Sequence, residues 1–146
     1  MKKLNIYFTA GVPALENTGK IAKLIQDSGA DMMEIGIPYS DPVADGPVIQ
    51  DAHSLALKNG MSIKKLFEQL AEVKDSVTIP KILMGYLNPV LQFGFENFCQ
   101  RCAEVGVSGL ITAASSHESS SSMTREIKGQ SRVSERAMPR GPPSRL

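Results

Sequence analysis

Asp31-Met-Met-Glu-Ile-Gly-Ile-Pro-Tyr-Ser-Asp-Pro-Val-Ala-Asp-Gly-Pro-Val-Ile-Gln50 is the stretch on which the reading of this chain turns. It opens on a short apolar run, Met32 to Ile37, the pattern of a strand buried on both faces of a parallel sheet. Strand side chains alternate, so Met33, Ile35 and Ile37 share one face while Glu34, Gly36 and Pro38 share the other. Burying an unpaired carboxylate is expensive, so Glu34 is expected at the end of a cavity that uses it. A second carboxylate, Asp45, follows in a loop between the turn formers Ser40-Asp41-Pro42 and Gly46-Pro47.

Two carboxylates, one at the C-terminal end of a strand and one in the loop after it, suit general acid/base chemistry. Two plainer readings fit the same residues. Asp45 can cap a helix whose first residue is Pro47, and Glu34 can be a core acid paired with a lysine. Spacing alone leaves all three open.

Outward from this stretch, strands and helices alternate. Asn5 to Thr9 reads as a strand, Glu16 to Ser28 as a helix stopped by Gly29, and Met32 to Ile37 as the second strand. Pro47 to Lys58 reads as an extra short helix ended by Gly60. Ser62 caps the next, whose stripe is Ile63, Leu66, Phe67 and Leu70. Ile79 to Tyr86 is a third strand, closed by Leu87-Asn88-Pro89. A helix over Phe95 to Val105 stops at Gly106, and a fourth strand starts over Ser108 to Ile111. Such alternation gives an α/β fold with a parallel sheet. A barrel and an open doubly wound sheet share it, so periodicity does not separate them.

The string Ser40-Asp-Pro-Val-Ala-Asp-Gly-Pro-Val-Ile-Gln50 closely resembles the signature of the tryptophan synthase alpha subunit family. Tyr7-Phe-Thr-Ala-Gly-Val-Pro13 and Leu83-Met-Gly-Tyr-Leu-Asn-Pro-Val90 extend the resemblance, which runs from about Asn5 to Ile111. It implies the N-terminal half of a (β/α)8 TIM barrel and a lyase that splits indole-3-glycerol phosphate into indole and glyceraldehyde 3-phosphate. It further implies Glu34 as the acid/base at the indole ring carbon, and Asp45 as the acceptor of the indole N–H. Tyr7, Met84 and Tyr86 would line the indole pocket. Pro38, Asp41 and Asn88 would face a pyridoxal-phosphate-bearing beta subunit in a hetero-tetramer, this chain itself carrying no cofactor. The family's phosphate-binding residues fall outside the matched stretch. The competing expectation is a catalytically inactive truncated fragment that at most binds a partner subunit.

At 146 residues the chain holds one ordinary domain, against roughly 250 in a complete barrel of this kind. No apolar run is long enough to span a membrane, and Met1-Lys-Lys-Leu leads straight into a strand without a signal-peptide pattern. A cytoplasmic protein is expected. The net charge of +1 argues against a nucleic-acid surface over the whole chain. Cys99 and Cys102 have the spacing of a redox or metal pair but fall on the apolar stripe of a helix with Phe95 and Phe98, so core packing is the better reading and no metal is expected.

The grammar changes at Thr112. Residues 112–146 form a second expected region, low in complexity and rich in Ser and Arg, with five of the chain's six arginines. Its lone His117 is expected to be solvated. A fourth strand without a fifth, and a first without an eighth, would leave two sheet edges open to water.

Overall fold

The computed structural model describes residues 1–113 and, as backbone, residues 123–126. The element order is β1 (Asn5–Thr9), α1 (Asn17–Asp27), β2 (Met32–Gly36), α2 (Pro47–Lys58), α3 (Ile63–Glu72), β3 (Lys81–Tyr86), α4 (Leu87–Phe93), α5 (Phe95–Glu104), β4 (Gly109–Ala113) and β5 (Met123–Glu126). The sheet runs in the order β1-β2-β3-β4-β5. Strands β1 to β4 are mutually parallel, in a register that aligns Tyr7 with Glu34, Gly36 with Met84, and Met84 with Ile111.

The two faces of the sheet differ sharply. Met33, Ile35, Leu83 and Leu110 point into a closed core. Helices α1, α3 and α5 meet them there with Ala22 and Ile25, with Leu66, Phe67 and Leu70, and with Phe98 and Cys102. The opposite face carries Tyr7, Glu34, Ile82, Met84 and Ile111, all partly or well exposed. In a barrel this face is the interior. Cys102 lies fully inside, and burial, followed by the neighbouring Cys99, pushes its thiol up to about 12, as suits a packed sulfur. Among the described residues no group of acidic, His and Cys side chains could hold a metal ion.

Local chemistry sets the helix ends. Ser62 Oγ accepts from the backbone N–H of Lys65 at 3.2 Å and caps α3. A Cβ at Gly19 would come within 2.9 Å of Val73 Cγ1, so this glycine lets α1 approach the end of α3.

Two features depart from the sequence expectation. Leu87-Asn88-Pro89 does not simply close β3: it is the first turn of α4, where a proline lacks only an N–H that has no partner in any case. The outer edge of β4 is not open, because β5 pairs with it antiparallel, Gly109 opposite Glu126 and Thr112 opposite Met123. Strand β4 itself runs to Ala113, two residues past the point where the resemblance was expected to stop. The rest of the expected low-complexity region, residues 114–122 and 127–146 with His117, lies outside the described residues.

Candidate active site

The C-terminal ends of β2 and β3 and the middle of α2 converge on one carboxylate. Tyr86, the last residue of β3, donates its hydroxyl proton to Asp45 Oδ2 at 2.9 Å. The same hydroxyl accepts the backbone N–H of Ala44 at 3.0 Å, so the loop after β2 is pinned at two successive residues. From α2, His53 Nε2 lies 3.3 Å from the same Oδ2. The loop's own turn is closed by Asp45 N–H to Pro42 O at 3.1 Å and by Gln50 Nε2 to Asp45 O at 2.8 Å.

His53 is 3% exposed, and its other ring nitrogen is also engaged. The backbone N–H of Tyr39 donates to Nδ1 at 2.9 Å, so Nδ1 is unprotonated and the ring proton sits on Nε2, facing Asp45. Burial lowers the pKa of His53, and the charge and hydrogen bond of Asp45 oppose that shift without cancelling it. Tyr86 is pushed up to about 12, by burial first and then by its bond to Asp45. Both groups are therefore neutral donors at neutral pH.

These residues border an apolar cavity of about 190 Å³, lined also by Tyr7, Met84, Ile111 and Thr112. Tyr7 reaches it across β2: its hydroxyl occupies the place a Cβ would take on Gly36, and it bonds Thr9 Oγ1 at 3.0 Å. Burial raises the Tyr7 pKa most, the Thr9 bond lowers it, and the charges of Asp45 and Glu34 raise it further.

Glu34 stands apart from this cavity. It shares a face with Tyr7 but is not among the lining residues, and its Oε1 accepts from Asn5 Nδ2 at 2.7 Å. Its partner is thus an amide, not a lysine. Asp45 is not a helix cap either: Gly46 holds that position in α2, with no side-chain capping bond. Of the expected partner-facing residues, Asp41 and Asn88 are exposed and Pro38 is buried. Asn88 Nδ2 donates to the Tyr39 hydroxyl at 3.4 Å, and the Tyr39 ring lies 4.9 Å from that of Tyr86, which ties this rim to the site.

The sequence model of the family described as "Tryptophan synthase alpha chain" matches residues 2–133. The chain belongs to the tryptophan synthase alpha chain family. It is 57% identical over 108 residues to the tryptophan synthase alpha chain of Bacteroides fragilis, covering 74% of this chain and 41% of that one. The relative from Parabacteroides distasonis is 58% identical over 108 residues, with 74% and 42% covered. Among solved structures, tryptophan synthase subunit alpha from Legionella pneumophila superposes with a TM-score of 0.72 at 42% identity, covering 75% of this chain and 42% of that one. The aminoacrylate-bound tryptophan synthase of M. tuberculosis gives 0.71 at 33% identity, with 76% and 45% covered. The chain therefore spans about two fifths of the length of the curated relatives it matches. Its four parallel strands are one half of this family's TIM barrel.

Within this family stretch the structure gathers Tyr7, Asp45, Met84 and Tyr86 around one cavity and leaves Glu34 beside it. It adds a residue that sequence reasoning missed, His53. The available signal was a histidine eight positions after Asp45 in an otherwise ordinary helix, and only the docking of α2 gives it meaning.

Proposed function

We propose that this site handles the indole ring in the cleavage of indole-3-glycerol phosphate to indole and glyceraldehyde 3-phosphate. The observation that carries the proposal is the Asp45 carboxylate, held by Tyr86 and His53 at the edge of an apolar cavity of about 190 Å³. That volume is below the roughly 300 Å³ of a pocket for a drug-sized ligand. It suits a bicyclic ring, with the polar arm of the substrate extending outside.

In this reading a proton is added to ring carbon 3, and the ring nitrogen takes up positive charge. Asp45 accepts the ring N–H and stabilises that charge. Transfer of the substrate's hydroxyl proton to water then forms the aldehyde as the carbon–carbon bond breaks, and the bond electrons return to the ring. Glu34 is the group proposed to supply the ring-carbon proton, turning from Asn5 towards Tyr7 and the substrate. Tyr7, Met84 and Tyr86 provide the apolar walls. The reaction needs no cofactor on this chain; pyridoxal phosphate belongs to the proposed beta-subunit partner. Asp41 and Asn88 are the exposed residues proposed to meet that partner, with Pro38 shaping the turn beneath them. No helix among the described residues is long and apolar enough to cross a membrane.

The test is direct. Incubating the purified chain with indole-3-glycerol phosphate, with and without a beta subunit, should release indole above the uncatalysed rate. Asp41→Ala should weaken beta-subunit binding in titration calorimetry. Indole binding and partner binding with no turnover would favour the inactive-fragment reading, and a folded chain that binds no indole would dispose of the site altogether.

A further inference from the structure

The Asp45 carboxylate is held unevenly. Tyr86 and His53 both converge on Oδ2, and no hydrogen bond to Oδ1 is formed among the described residues. Asp45 is also 32% exposed, against 3% for the histidine behind it. One oxygen is anchored by two donors, and the residue that carries both oxygens lines the cavity.

We infer that His53 is a positioning residue: from α2 it holds Asp45 by Oδ2 and so presents Oδ1 to the cavity as the acceptor for a ring N–H. This rests on the proposed handling of an indole ring at the same site. The tautomer is what makes the anchor work. Because Tyr39 N–H donates to Nδ1, the one ring proton of neutral His53 must lie on Nε2, on the Asp45 side. The other tautomer would set two donors against each other at Tyr39 and would turn a bare Nε2 towards a carboxylate. The groups that meet His53 from other elements are Asp45 in the loop, Tyr39 at its start, and Tyr86 on β3, whose ring stands edge-on at 6.4 Å. Helix α2 therefore takes part in recognition although only this one of its side chains lines the cavity.

The test uses the whole chain labelled with 15N-histidine, near pH 7.5. Only His53 and His117 contribute signals, and His53→Gln assigns them. His53 should show a protonated Nε2 and an unprotonated Nδ1. In parallel, indole and 1-methylindole are titrated into the unmutated chain, His53→Gln and His53→Leu. A hydrogen bond to a charged acceptor should favour indole roughly tenfold over the N-methylated probe. His53→Gln, whose amide N–H reaches the same place, should keep that preference, and His53→Leu should bring the ratio close to one. Should the leucine variant not fold, His53→Asn, whose amide is too short to replace Nε2, should lose the preference in its place. An Nδ1-protonated or doubly protonated ring overturns the inference, as does an undiminished preference in His53→Leu. If the unmutated chain has the expected tautomer and binds both probes equally, the Asp45 contact of the proposed function fails and the inference fails with it. That result is distinct from a wrong tautomer, which sinks the inference alone.

Discussion

Tyr86 and Asp45 are 41 positions apart in sequence and share a hydrogen bond of 2.9 Å. The bond ties the end of β3 to the loop after β2, and the same tyrosine oxygen takes up the Ala44 N–H. Removing that oxygen in Tyr86→Phe leaves a backbone donor unpaired and one anchor of Asp45 missing. Chemical unfolding should show a loss of about 1–3 kcal/mol, and indole affinity should fall. An unchanged unfolding midpoint would mean that the loop is held by other contacts.

The two carboxylates should respond differently to neutralisation. Glu34→Gln keeps the shape and the contact with Asn5 but cannot supply a proton, so indole release should drop by roughly 10² to 10⁴ with indole binding little changed. Asp45→Asn should reduce both, since the acceptor itself is altered. Near-normal turnover in Glu34→Gln would remove it from the chemistry and leave it as a partner of Asn5.

Tyr7 reaches the cavity only because position 36 is glycine. Gly36→Ala places a methyl group on the tyrosine hydroxyl and terminal ring carbon, and the ring must swing away. A cost of about 1–3 kcal/mol in urea titrations is expected, together with weaker indole binding. Adding Tyr7→Ala should recover most of the stability loss due to the alanine, because the two changes act on one contact. Strict additivity would show that the overlap is relieved elsewhere.

The site also sets a pH dependence. Burial lowers the folded-state pKa of His53 below the 6.5 of an unfolded chain, so below that value the unfolded state takes up a proton which the folded state resists. This contribution to stability is complete above pH 6.5 and is lost as the pH falls through the folded value. Comparing unfolding midpoints at about pH 7.5 and about pH 5 should show a larger acid loss in the unmutated chain than in His53→Gln. Equal losses in the two proteins would mean that His53 titrates alike in both states.

Much of the architecture was legible along the chain, because it is written in short-range terms. Short apolar runs mark β1 to β4, Ser62 and Pro47 open helices, and glycines with positive φ close them at Gly29, Gly60 and Gly106. The choice of barrel over open sheet came from resemblance, since periodicity is the same in both. α4 was missed because Pro89 reads as a stop until its N–H is seen to need no partner.

The site divides along the same line. The sequence by itself determined that Glu34 lies within a strand and Asp45 in the loop that follows it, since a strand's alternation and a loop's turn formers are local properties. Only the tertiary structure decided that Asp45 borders the cavity while Glu34 turns to Asn5, that β5 closes the edge of β4, and that His53 and Tyr86 meet on one oxygen. Those outcomes depend on how α2 and β3 dock against the loop. Contacts between residues eight and forty-one positions apart leave no periodic trace in the chain.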